Sequence, residues 1–199
     1  MQPIPKLIIL GRDGILNEFR EDHIKAPEEW VAVPGALEAV SRLNHAGWHV
    51  VVATNQSGIG RGMIDMAAVN AVHAHMLHSL QALGGRIDAV FFCPHTPEDN
   101  CDCRKPLPGM MLDIGRRYGV DLRMVPMVGD TLRDLQAARA AGCEPHLVRS
   151  GRAAALDAAQ QANWVEQVPG TFVHSDLGEL VTHLLEREHL RDSESGPLA

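Results

Sequence analysis

The sequence predicts an α/β protein with a Rossmann-like, mostly parallel sheet and helices on both faces. Three observations predict it. Short apolar runs rich in β-branched and aromatic residues recur at 6–10, 48–53, 87–92, 125–128 and 145–148. Segments with apolar residues spaced by three and four separate them. Several runs end in turns carrying glycine or acids, where an open parallel sheet places its ligands. Strands alternating with helices require crossover connections and hence parallel pairing.

The run Leu7-Ile-Ile-Leu10 reads as a buried strand ending in a Gly11-Arg-Asp-Gly14 turn. Residues 36–46 have helical spacing through Leu37, Val40 and Leu43 and stop at Gly47. Trp48 to Ala53 is the second strand, and Thr54-Asn-Gln-Ser-Gly58 comes after it as a loop. Asp65 caps the next helix, whose buried face is Val69, Val72, Met76, Leu80 and Leu83. Residues 87–92 form the third strand and 93–108 a loop of Cys, Pro and Asp. A helix at 110–118, a strand at 125–128, an alanine-rich helix at 131–141 and a strand at 145–148 come next. Residues 150–170 carry mixed signals, Phe172-Val173 reads as a sixth strand, and Leu177 to Leu190 as a last helix.

The 199 residues suit one domain, 1–190, with a disordered tail at 191–199. A 45% hydrophobic share excludes disorder as the main state. The formal charge of −7 disfavours nucleic acid as a partner. No apolar run approaches the ~18 residues of a membrane span. The N-terminal apolar stretch is too short for a signal peptide, so the expected address is the cytoplasm.

The strand ends gather polar residues. Asp13 lies after the first strand, Thr54 and Ser57 after the second, Arg104 and Lys105 after the third and its loop, and Asp130 and Asp134 after the fourth. Acids with hydroxyls suit a hard cation such as Mg2+. A lysine and an arginine beside it suit a phosphate. Together they propose magnesium-assisted phosphoryl chemistry. Singly, each has a plainer reading. Asp13-Gly14 makes an ordinary turn, Thr54 or Ser57 a loop cap, Asp130 a helix N-cap, and Lys105 a solvated lysine. Their common location after successive strands favours the functional reading.

Cys93-x-His95 and Cys101-x-Cys103 place three thiols and an imidazole within eleven residues. In a reducing compartment this reads as a closed tetrahedral Zn2+ site, structural because no coordination position stays open. The alternatives are a disulfide or buried free thiols. Zinc would order a loop with little regular structure and aim Arg104 and Lys105, which come directly after Cys103. His73, His75 and His78 share one helix and read as solvated.

Gly11-Arg-Asp-Gly14, Thr54-Asn-Gln-Ser57, Lys105-Pro and Gly129-Asp130-x-x-x-Asp134 resemble the four motifs of the haloacid-dehalogenase-like phosphatases. More narrowly, Ala53 to Gly58, Arg61-Gly62 and the run from Cys93-Pro-His95 to Gly109 are similar to the D-glycero-D-manno-heptose 1,7-bisphosphate phosphatase family. The resemblance covers about residues 6–150 and implies no large cap domain. It implies a phosphosugar substrate, the β-anomer of the heptose bisphosphate, losing its C7 phosphate on the way to lipopolysaccharide core heptose. It implies that Asp13 is the general acid and base, with its carbonyl on magnesium. Thr54 and Lys105 would hold the phosphoryl group, and Asp130, supported by Asp134, would hold magnesium. Arg12, Asn55, Gln56, Ser57 and Arg104 would contact substrate, and the chain would be a monomer, as members often are. Histidinol-phosphate phosphatases share the cysteine loop but favour Asp at the position of Ser57.

The resemblance fails at one residue. The position of the nucleophilic acid is Gly11, which can neither attack phosphorus nor bind metal. Removing a nucleophile from a catalytic unit costs on the order of a millionfold, or ~8 kcal/mol. The chain is therefore expected to be inactive or severely impaired, or a non-catalytic phosphosugar-binding pseudo-phosphatase. A natural loss, an engineered inactive form and a sequence error all read alike at Gly11.

Overall fold

The computed structural model describes residues 6–194. Its strands are β1 (Leu7–Leu10), β2 (His49–Asn55), β3 (Ala89–Cys93), β4 (Pro126–Gly129), β5 (Glu144–Val148) and β6 (Phe172–His174). Its helices are α1 (Ala36–His45), α2 (Ser57–Gly60), α3 (Met66–Gln81), α4 (Gly109–Tyr118), α5 (Leu132–Ala141), α6 (Ala158–Gln167) and α7 (Leu177–Glu194). The six strands lie in the order β3-β2-β1-β4-β5-β6, and every neighbouring pair is parallel. The chain builds outward from β1 to β3, then returns to start the other half at β4. The switch point therefore lies between the carboxyl ends of β1 and β4, where such sheets bind ligands.

β1 is buried along its whole length, as a central parallel strand covered on both faces must be. Its side chains alternate between two cores. Ile8 and Leu10, with Val50 and Val52, pack against α1, α3 and α7 through Val40, Leu43, Val72, Met76, Leu80 and Leu180. Leu7 and Ile9, with Val51 and Ala53, pack against α4 and α5 through Met111, Ile114, Ala137 and Ala138. No large cap interrupts this layering among the described residues. The long connections at 11–35 and 94–108 carry only two isolated bridges and short 3-10 turns among the described residues. Among the same residues no helix is long and apolar enough to cross a membrane.

Several expected boundaries move, each for a local reason. β2 runs on to Asn55 because Thr54 and Asn55 still pair with Phe92 and Cys93. Residues 57–60, expected as loop, form the short α2. Leu83, expected on the buried face of α3, lies past its end and is 44% exposed. α6 carries no apolar period because it buries no residue fully; a capping box between Asp157 and Gln160 starts it instead. Asp130 is not an N-cap, since Thr131 caps α5 in a box with Asp134. α7 continues to Glu194, beyond the expected end at Leu190, because no Gly or Pro intervenes before Gly196. Residues 191–194, expected in the tail, are thus helical. Its remainder, 195–199, and residues 1–5 of the leader reading lie outside the described residues.

Candidate active site

The four strand-end motifs converge. A recess of about 50 Å3 at the switch point is lined by Gly11, Asp13, Thr54, Lys105, Asp130 and Asp134, with Arg12, Asn55, Thr131, Arg133 and Arg152. Every strand-end acid, hydroxyl and lysine named from the sequence lies there except Ser57. Ser57, buried at the start of α2, lines the adjoining larger cavity.

Asp13 is gripped unequally by its two oxygens. Oδ1 accepts from Arg12 Nη2 at 2.8 Å, Arg12 Nε at 3.2 Å and Asn17 Nδ2 at 3.0 Å. Oδ2 accepts from Gln56 Nε2 at 3.1 Å, and the same amide donates to Thr54 Oγ1 at 2.8 Å. Burial pushes the Asp13 carboxyl up. The Arg12 charge and the bonds from Asn17, Arg12 and Gln56 outweigh it and hold the group below its ordinary range. Gln56 ties Asp13 to Thr54.

Lys105 is buried and held by Asp134 Oδ1 at 2.6 Å and the Ala53 carbonyl at 2.8 Å. Asn55 brackets the Lys105 backbone: its Nδ2 donates to the carbonyl at 3.0 Å and its Oδ1 accepts from the amide at 3.1 Å. Its amide thus positions the lysine, where the resemblance implies a substrate contact. Asp134 also accepts from Thr131 Oγ1 at 2.7 Å. Burial, and then the Asp134 charge, push Asp130 up to about 7. Asp130 and Asp13 line the same recess, and their oxygens are a donor set that fits a hard divalent ion.

The recess opens into a cavity of about 260 Å3 whose lining includes Arg20, Arg61, Arg104, Arg133 and Arg152, with Phe19 and His23 from the connection after β1. Arg152 stacks over the Phe19 ring at 3.7 Å, and its backbone amide donates to Asp130 Oδ2 at 2.8 Å. Arg104 Nη1 donates to the His95 carbonyl at 3.1 Å, which ties it to the cysteine loop. Arg61 and Arg133 lie inside quoted motifs but carry no role from spacing alone. Arg152 lies in the stretch of mixed signals. His73, expected to be solvated, is instead buried against Arg12, with Nε2 3.1 Å from Nη1. His75 and His78 are exposed as expected.

Cys93, His95, Cys101 and Cys103 bring one ligand atom each within 4.8 Å of one another. Cys93 Sγ lies 3.7 Å from Cys101 Sγ and 3.6 Å from His95 Nδ1. Cys103 Sγ lies 3.5 Å from Cys101 Sγ and 3.4 Å from His95 Nδ1. A tetrahedron with ~2.3 Å metal–sulfur bonds has edges of about 3.8 Å. The four free ligands thus fit a tetrahedral soft-metal site.

Residues 102–180 match the HAD-hydrolase-like family model. The D-glycero-beta-D-manno-heptose-1,7-bisphosphate 7-phosphatase of Bordetella bronchiseptica is 52% identical over 91% of this chain and 98% of that protein. The chain belongs to the D-glycero-beta-D-manno-heptose-1,7-bisphosphate 7-phosphatase family. The heptose-bisphosphate phosphatase of Pseudomonas aeruginosa is 44% identical over 90% of this chain and 98% of that protein. A crystal structure of the B. bronchiseptica D,D-heptose 1,7-bisphosphate phosphatase, complexed with magnesium and phosphate, matches with TM-score 0.84 at 51% identity. It covers 92% of this chain and 99% of that one.

Proposed function

We propose that the chain is a magnesium-dependent sugar-bisphosphate phosphatase scaffold for D-glycero-β-D-manno-heptose 1,7-bisphosphate, acting at the C7 phosphate and severely impaired by Gly11. The observation that carries this reading is the joining of the motif-lined recess to the arginine-lined cavity. One space suits the phosphoryl group that leaves, the other a second phosphate on the same small sugar. The relatives named above are heptose-bisphosphate phosphatases, which favours this substrate over histidinol phosphate. The reading includes a structural zinc, a monomeric chain and a cytoplasmic address.

In this mechanism Lys105 Nζ and Thr54 Oγ1 take the phosphoryl oxygens. Asp130 and the Asp13 carbonyl, supported by Asp134, would hold magnesium, which when bound neutralises phosphate charge. Asp13 Oδ1 already accepts three donors, so the proton for the departing C7 oxygen rides on Oδ2. In a complete site a carboxylate at position 11 bonds to phosphorus as the bond to the C7 oxygen breaks. Water then releases phosphate, with Asp13 taking the water's proton. With Gly11 the first bond cannot form, and what remains is direct attack by water aided by Lys105 and Thr54. This favours a second reading, a phosphosugar binder that does not turn over.

The test is phosphate release from the heptose bisphosphate by the chain and by Gly11→Asp, with histidinol phosphate in parallel. The chain should run at least about a thousandfold below the variant. Fast turnover by the Gly11 protein overturns the impairment. A folded, magnesium-loaded Gly11→Asp that stays inactive on the heptose bisphosphate overturns the substrate assignment.

A further inference from the structure

The mechanism leaves one buried titratable side chain beside the recess unused. His73 lies on α3, 8% exposed, and Arg12, which it meets, is 2% exposed. A guanidinium keeps its charge at any pH the protein meets, so burying it obliges its edges to find acceptors. Nε and Nη2 are on Asp13 Oδ1 at 3.2 and 2.8 Å. Nη1 is met by His73 Nε2 at 3.1 Å. A bare imidazole nitrogen accepts from a cation only when the ring is neutral, with its proton on Nδ1. Burial first, and then the Arg12 charge, push His73 down to about 4, so the ring is neutral at ordinary pH.

We propose that His73 is a positioning residue: by accepting from Arg12 Nη1 it fixes the guanidinium on Asp13 Oδ1, leaving Oδ2 as the oxygen that exchanges the proton. The inference rests on the phosphatase reading of Asp13. Asn17 and Gln56 hold the same carboxylate from the connection after β1 and from the N-cap of α2. Without His73, Arg12 is free to rotate about its remaining contacts. The acid is then still present but loosely aimed. Poor aim lowers the rate of proton transfer and leaves phosphate binding by Lys105 and Thr54 untouched.

The experiment compares His73→Leu, which fills the space without an acceptor, with His73→Gln, whose amide oxygen accepts. In the Gly11→Asp background His73→Leu should lower kcat by about ten- to a hundredfold with KM essentially unchanged. His73→Gln should recover most of the loss. A second arm uses the Gly11 chain itself and needs no turnover. The Arg12 Nη signals in nitrogen-15 NMR should be resolved in the parent and in His73→Gln, and averaged by rotation in His73→Leu. The proposal is overturned if His73→Gln is no better than His73→Leu while both melt with the parent. It is also overturned if KM rises in place of the fall in kcat, or if the Arg12 signals stay resolved in His73→Leu. If Gly11→Asp itself fails to hydrolyse the substrate, the phosphatase reading falls, and the NMR arm alone decides whether His73 holds Arg12.

Discussion

Two glycines three residues apart place opposite demands on the site. Gly14 has φ +80°, and a Cβ there would overlap the Asp130 carboxylate, so the backbone requires glycine. Gly11 has no such conformation. A Cβ there meets Ile15 Cγ1 at 3.1 Å and the Val128 carbonyl at 3.5 Å, so Ile15 need give only a few tenths of an ångström to admit a Cβ. Nothing in the local backbone therefore requires glycine at position 11. Lys105 and Asp134 make a different point about single residues. Both are buried and 2.6 Å apart, so removing one partner strands the other's charge. Asp134→Ala should cost about 3–5 kcal/mol of stability. Replacing both, Lys105→Met with Asp134→Leu, should cost less than Asp134→Ala alone, since no unpaired charge remains. Denaturant titrations of the single and double variants check this, and a double variant weaker than the single would contradict it.

At the scale of elements, the loop between β3 and α4 gathers four candidate metal ligands. Its regular structure is one short turn at Pro97–Asp99, and its other internal contacts centre on the cysteines and His95. Binding free energy at such a site is folding free energy. Purified protein should carry one zinc, and a strong chelator, or Cys103→Ala, should lower Tm and release residues 93–108 to protease. Metal analysis without zinc in chelator-free protein would refute the assignment. The loop also shows which elements a sequence can reveal. β1 to β5 and α1, α3, α4 and α5 are legible because each buries a face, and burial writes a period of two or 3.6. The ligand spacing of Cys93, His95, Cys101 and Cys103 is legible because metal chemistry restricts residue type. α6 buries no residue fully, only packing Trp164 against the cluster of Leu135, Leu147, Ala153 and Val168, and writes no pattern. Helical spacing misreads His73 because it reports which face is buried only through apolar residues. The burial of His73 beside Arg12 depends on a contact 61 residues away. Arg152 reaches the site from after β5, where no motif marks it.

The two halves of the sheet meet at the recess, yet the far edge bears on the stability of the whole fold. His146, fully buried on β5, shares hydrogen bonds with His174 of β6 at 3.0 Å and Glu144 at 2.8 Å. From α7, Arg187 clamps Glu144 at 2.7 and 3.1 Å, and the His183 ring lies tilted against His174 with ring centres 5.3 Å apart. This cluster joins the sheet edge to the helix that also closes the core under β1. Burial first, then the charges of His146 and His183, push His174 down to about 4, and burial chiefly holds His146 below its ordinary value. A histidine whose folded pKa is depressed must take up a proton on unfolding. Its contribution is intact above the unfolded value of about 6.5 and is lost as pH falls from there toward 4. Glu144, pushed down to about 2 by its bonds to His146 and Arg187 against the opposing effect of burial, adds to the loss below about 4.5, the ordinary glutamate range. Tm should therefore fall steadily between pH 6.5 and 4. His174→Gln, which keeps a hydrogen-bonding amide but cannot charge, should flatten that fall while leaving Tm near neutral pH little changed. An equal slope in the variant and the parent would place the acid sensitivity in other groups.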